Sequence, residues 1–377
     1  MSSLDELRER IDDYSDTVFA ILGFVNFYRF NDASGQLREE VLVFQGRRLS
    51  PSPAKATTPG GNKVEFVTPD FGVLDPLGPA VLGDAKKSFP RDETHWLDAF
   101  EQLTAYDDDL SGWPCRDERV ERHDIVLLTH VTRVVAVCDY YQRRVGAGEI
   151  QFNRPFSIVS FVRSDERQPF FHFEKRLGQL SDAAFDDRLR RGVSVPMAVF
   201  VSVYSTVKIY DAEPPLPYMA QLIWEQVIVP RASDSPRFRA LHRNQKLEVK
   251  LTADEIADEL GRGFSFQVLC PESTERQPQV PRRAWCVRAC DALVAGGMAR
   301  WNGDETKNEL TVYFRKLDDV LETMLEVCAP ADTGRKEQLA LFREQVPSQP
   351  EKPPSEGAAG PTKGSRTAGA AGPTTET

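Results

Sequence analysis

Two aspartates and a lysine stand close together in the stretch VTPDFGVLDPLGPAVLGDAKKSF, Val67 to Phe89. Asp70 directly follows a proline, while Asp84 and Lys86 lie on the second of two apolar, strand-like runs. Side chains two apart on a strand share a face, so Asp84 and Lys86 project together and Ala85 projects to the other side. If the two runs pair as a hairpin, Asp70 approaches Asp84 across the ladder. Carboxylates held that close repel each other unless a cation sits between them. Mg²⁺ or Mn²⁺ is the hard ion that acids and water hold well. Such an ion acidifies a bound water, and a neighbouring ammonium stabilises charge developing on a phosphate. The chemistry that fits is hydrolysis of a phosphodiester.

A helix should follow. WLDAFEQLTAYDDDL puts Trp96, Phe100 and Leu103 on a core face, with Gln102 and Tyr106 four apart on the bordering flank. Pro69-Asp70, then thirteen residues, then Asp84-Ala85-Lys86, then Gln102-Leu103-Thr104-Ala105-Tyr106 resembles a known pattern. It is similar to the PD-(D/E)xK motif of the restriction-endonuclease-like nucleases, with the QxxxY of their RecB-like branch. The resemblance implies a Mg²⁺- or Mn²⁺-dependent deoxyribonuclease, at work in bacterial defence, restriction or repair. It implies Asp70 and Asp84 as metal ligands and Lys86 as the catalytic amine. Gln102 and Tyr106 would support the metal site or contact substrate phosphate. Many relatives add an upstream carboxylate; Glu40 is the first choice, with Glu39 and Glu65 as alternatives. Asp75 would replace Asp70 if the register differs. The alternative reading is a catalytically inactive nuclease-like protein that binds nucleic acid or serves as an adaptor.

The elements that must position these residues follow from periodicity. Thr17–Phe27, TVFAILGFVNF, is buried but far shorter than the roughly 20 residues a bilayer needs, so no membrane association is expected. Leu37, Val41 and Phe44 read as one helical face bordered by Glu40, and NKVEFV and AVLGDAKKSF as strands joined by a Gly/Pro-rich reversal. IVLLTH is a strand, VTRVVAVCDYYQRR a helix, and FSIVSFVRS, PFFHF and AVFVSVYSTVKIY further strands. The expected fold is α/β: a restriction-endonuclease-like mixed sheet flanked by helices over residues 1–228.

PPLPYMAQLIWEQVIVP opens with prolines suited to a first helical turn and either closes that unit or bridges to the next. Residues 229–250 read as a basic linker carrying Arg237, Arg239 and Arg243. Residues 251–330 hold a capping box, Thr252 with Glu255, then a helix from Pro281 that begins with Arg282, Arg283 and Arg288 and stops at Gly296–Gly297. Strand, tight turn, strand and a closing helix follow. This order resembles a small winged-helix (α+β) domain, which implies DNA binding or docking of a protein partner, with those six arginines as phosphate contacts. From Pro347 no large aliphatic or aromatic residue remains, and residues 345–377 are expected as a disordered tail.

Composition bounds the rest. The net charge of −10 excludes uniform coating of a polyanion but not local basic patches. The six cysteines form no CxxC pair and read as reduced core thiols; the charged start shows no signal peptide, so a cytoplasmic location is expected. The five histidines form no metal-binding pattern, and neither a P-loop nor GxGxxG is present.

Overall fold

The computed structural model describes residues 3–29, 41–45, 47–51, 66–76, 78–87, 89, 93, 96–114, 120, 122–164, 170–197, 213–241, 245–262, 281–303 and 307–328. The larger part is a seven-stranded mixed sheet flanked by helices. Its strands are β1 (Leu42–Phe44), β2 (Phe71–Leu74), β3 (Ala80–Lys86), β4 (His123–His130), β5 (Phe156–Ser164), β6 (Phe170–Gly178) and β7 (Val193–Pro196), adjacent in that order. β3, β4 and β5 run parallel and every other pair is antiparallel.

Alternation along the strands sorts two cores. Phe71, Val73, Val81, Ala85, Val126 and Leu128 face α1 (Ser3–Arg29) and α4 (Ala183–Arg191). Ala80, Leu82, Ile125 and Leu127 face α2 (Trp96–Thr104) and α3 (Val131–Gly146) on the other side. β3 and β4 are buried on both faces, as parallel strands between helical layers require. Gly83 is forced by packing. A Cβ there would sit 2.1 Å from the Phe71 ring on the neighbouring strand, so no larger residue fits.

Two expectations change here. The helical face through Leu37, Val41 and Phe44 is not formed at its C-terminal end: Leu42–Phe44 is the edge strand β1. Val41 and Val43 join the α1-side core while Phe44 joins the α2-side core, a period of two that outweighs the helical spacing. The strand that pairs with β3 is FGVL, not NKVEFV; of the latter, Val67 makes only an isolated bridge to Leu49. The run AVFVSVYSTVKIY, the tail 345–377 and residues Glu39, Glu40, Glu65 and Arg243 lie outside the described residues.

A second core surrounds a three-stranded sheet, order β8 (Leu247–Thr252), β10 (Glu309–Phe314), β9 (Ala299–Trp301), antiparallel throughout. It is packed by α5 (Leu216–Ile223, continuing through a π turn to Ser233), α6 (Ala253–Arg262), α7 (Arg283–Ala295) and α8 (Val320–Cys328). Met219, Ile223 and Trp224 place α5 in this core, so the stretch expected as a linker holds the end of α5 and the start of β8. The capping box forms: Glu255 N–H donates to Thr252 Oγ1 at 3.1 Å, and Thr252 N–H donates to Glu255 Oε2 at 2.7 Å. Cys286 and Cys290 are buried core thiols. The two parts meet along α1, where Leu4 and Ile11 pack on Leu325, and Arg8 donates to both oxygens of Glu322. Among the described residues no helix is long and apolar enough to cross a membrane.

Candidate active site

Asp70 ends the Thr68-Pro69 approach to β2 and stands beside Asp84 of β3, one step beyond the Phe71–Gly83 pair. Each aspartate is held by the other's strand. The Ala85 N–H donates to Asp70 Oδ2 at 2.8 Å, and the Asp70 N–H donates to Asp84 Oδ1 at 3.3 Å. Lys86, on the same face as Asp84, brings Nζ to 3.9 Å from Asp70 Oδ2 and 3.8 Å from Asp84 Oδ2. The Tyr106 hydroxyl donates to Asp84 Oδ1 at 2.8 Å, and Gln102 Nε2 donates to Tyr106 Oη at 3.2 Å. All five residues singled out by spacing therefore converge.

Tyr106 reaches the site from a place the spacing did not foresee. α2 ends at Thr104, and Tyr106 closes the last turn through its N–H to Leu103 O at 3.0 Å. Three groups fix that turn. His123 Nε2 donates to the Tyr106 carbonyl at 2.7 Å, and Asp107 accepts from the N–H groups of Asn153 and Arg154 at 2.8 and 2.6 Å. Neither His123 nor Asp107 carries a sequence signal of this role; each acts by a backbone contact that no spacing encodes.

The electrostatics are those of a charged pair pushed into the interior. The Asp84 side chain is fully buried, Asp70 is 13% exposed and Lys86 is 32% exposed, so the site opens to solvent at the lysine. Burial, then the neighbouring Asp70, pushes the Asp84 carboxyl up to about 7 against the opposing pull of Lys86 and Tyr106. Burial and the same two carboxylates hold the Tyr106 phenol protonated, well above its usual range. Asp84 Oδ2 is buried with no hydrogen-bond partner. A buried carboxylate oxygen without a hydrogen bond costs free energy, which the Lys86 ammonium 3.8 Å away offsets only in part.

Two carboxylates, with one oxygen of Asp84 accepting no hydrogen bond, offer the hard oxygen donors that Mg²⁺ or Mn²⁺ takes. Among the described residues no group of three or more His, Cys, Asp or Glu side chains gathers as a metal site. Asp75 is not among them: it follows β2 at the far end of the hairpin, within 3.5 Å of the Tyr28 hydroxyl. On β4, Thr129 pairs with Lys86 in register, and its buried Oγ1 has no hydrogen-bond partner.

The opposite face of β3 holds a separate ion-pair cluster. Lys87 bonds Asp16 at 2.7 Å and Asp13 at 2.9 Å, tying α1 to the strand end. The arginines stand elsewhere. Arg283 bonds Asp254 at 2.8 Å, Arg288 bonds Glu213, and Arg282 lies over Trp285. Arg237 and Arg239 are exposed in the turns after α5.

His123 allows a test of the support beneath Tyr106. Burial pushes its imidazole down to about 4, below the roughly 6.5 of an unfolded chain. The folded state therefore binds this proton more weakly, and stability is lost as pH falls from 6.5 towards 4. In thermal melts, His123→Gln, whose amide still offers a donor but does not titrate, should gain on the wild type as pH falls through that window. Parallel profiles would show that the ring is not buried neutral. No family model, curated protein or solved structure matches the chain.

Proposed function

We propose that the protein is a Mg²⁺- or Mn²⁺-dependent nuclease that hydrolyses DNA phosphodiester bonds at Asp70, Asp84 and Lys86. The observation that carries this reading is the convergence itself: two aspartates hydrogen-bonded into one another's strands, an ammonium within 4 Å of both, and one carboxylate oxygen left orphaned. A hairpin needed only for burial gains nothing from a fully buried carboxylate beside a second one.

Asp70 and Asp84 would hold the ion, which when bound supplies a nucleophilic water at neutral pH. The chain's own residues do the rest. Lys86, the most exposed of the three, places its ammonium where charge develops on the scissile phosphate. Tyr106 holds Asp84 Oδ1, so Oδ2 would be the oxygen offered to the ion. Gln102 fixes the phenol from outside and is itself exposed towards an incoming strand.

The order of helices and strands around the small sheet supports reading it as a winged-helix module. α5, β8, α6 and α7 precede the antiparallel pair β9–β10, and β10 lies between β8 and β9. Its role would be to bind DNA or a protein partner. With Arg283 and Arg288 already bonded to acids, the first turn of α7 favours docking or structural support, and exposed Arg237 and Arg239 are the freer phosphate contacts.

The test is incubation of purified protein with supercoiled plasmid in Mg²⁺, in Mn²⁺ and in chelator. Nicking or linearisation confined to the metal-containing reactions is expected. DNA binding without cleavage under any metal would favour the inactive adaptor instead.

A further inference from the structure

Four residues before Asp70, Phe66 departs from the rule that large rings go inside. It is 41% exposed, and among the described residues no other Phe, Tyr or Trp is exposed. It is also not bare: the Arg48 guanidinium lies over its ring, 4.2 Å from the centroid. This aromatic–cation pair sits on the segment that leads through Asp70 into β2.

The backbone fixes where it stands. Leu49 and Val67 exchange both backbone hydrogen bonds, at 2.9 and 2.7 Å. They form an isolated antiparallel bridge just beyond the β1–β2 ladder. The next residue, Thr68, has its carbonyl 3.3 Å from Tyr106 Oη, which ties this segment to the site. Ser50 exchanges backbone hydrogen bonds with Ser111, and the Arg47 side chain bonds the Gly112 carbonyl, so residues 47–50 are pinned on both sides. Even at full extension Asp70 is at most about 7 Å from position 68 and about 14 Å from position 66. Those are distances over which a bound polynucleotide reaches from a cut phosphate to a nearby base.

We propose that Phe66 and Arg48 form a stacking platform for an unpaired nucleobase of the strand being cut, and that the site accordingly takes single-stranded DNA. This deepens the nuclease reading above and rests on it. Every base has a π face, so an exposed ring binds single strands without sequence preference. The guanidinium adds a cation–π contact and a positive charge that offsets the site's carboxylates and the chain's net charge of −10. A blunt duplex keeps its base faces stacked and gains only the charge.

The experiment is fluorescence anisotropy in chelator, where no cleavage occurs, with a labelled oligothymidine and a labelled blunt duplex of equal length. Wild type should prefer the single strand. Phe66→Ala should lose about 5- to 100-fold of single-strand affinity and keep its duplex affinity, whereas Phe66→Trp should retain both. Arg48→Ala should weaken both probes. The platform is refuted if Phe66→Ala binds the single strand as wild type does, or loses both probes equally. Stacking on Phe66 in a protein that cleaves nothing in Mn²⁺ would support the platform while removing the hydrolase reading. Metal-dependent cleavage with wild-type binding by Phe66→Ala would do the reverse.

Discussion

Lys86→Ala is expected to lower metal-dependent plasmid cleavage by roughly 10²- to 10³-fold, the scale set by removing one preorganised charge from a transition state. Its ammonium lies within 4 Å of both carboxylates yet is a third exposed, the one position from which a cation meets both the ion's ligands and a solvent-borne phosphate. Lys87 cannot stand in for it. That side chain projects to the other face and is held by Asp13 and Asp16. Asp84→Ala should abolish cleavage altogether, since it removes the orphaned oxygen and unties Tyr106 and the Asp70 N–H. Both rates follow from agarose-gel time courses in Mn²⁺. Cleavage that survives both substitutions belongs to a contaminant and ends the nuclease reading.

The second large effect concerns stability and metal together. The Asp84 carboxyl titrates at about 7 in the folded protein and near 3.9 in an unfolded chain. The folded state thus binds this proton more tightly, so stability is present at low pH and lost as pH rises from about 4 through 7. In chelator, Asp84→Asn should therefore gain thermal stability relative to wild type across that window, by a few degrees at the upper end. Mn²⁺ narrows that gap. At pH 8 an ion bound only by the folded state stabilises the wild type by about 2.7 kcal/mol at a hundred times Kd, whereas the variant should gain nothing. Scanning calorimetry at pH 5 and pH 8, with and without Mn²⁺, reads all four states. A variant that gains as much from Mn²⁺ as wild type places the ion elsewhere.

How much of this was written in the sequence differs from residue to residue. Asp70, Asp84 and Lys86 were legible because strand alternation and one proline suffice to align them. Gln102 and Tyr106 were legible as a pair, though Tyr106 lies beyond the helix and is steered by His123 and Asp107. Those supporting groups act on backbone atoms supplied by distant loops, and no local pattern marks them. The Val41–Phe44 stretch misled because four apolar residues in a row satisfy helical and strand periods alike. Burial against cores on both faces of the sheet decided for the strand. The capping box, the glycine stop and the strand pair around the three-stranded sheet were all local signals and formed where expected. Its arginines were counted as free charge, but partners remote in sequence, Asp254 and Glu213, neutralise two of them.

The most direct measurement is a crystal structure of the protein soaked in Mn²⁺ at pH 8, with anomalous scattering recorded at the manganese edge. The expected result is an anomalous peak shared by one oxygen of Asp70 and Oδ2 of Asp84, with Lys86 Nζ displaced from the two carboxylates by the new charge. A site that stays free of manganese at saturating concentration, or an ion bound away from these two aspartates, would contradict it.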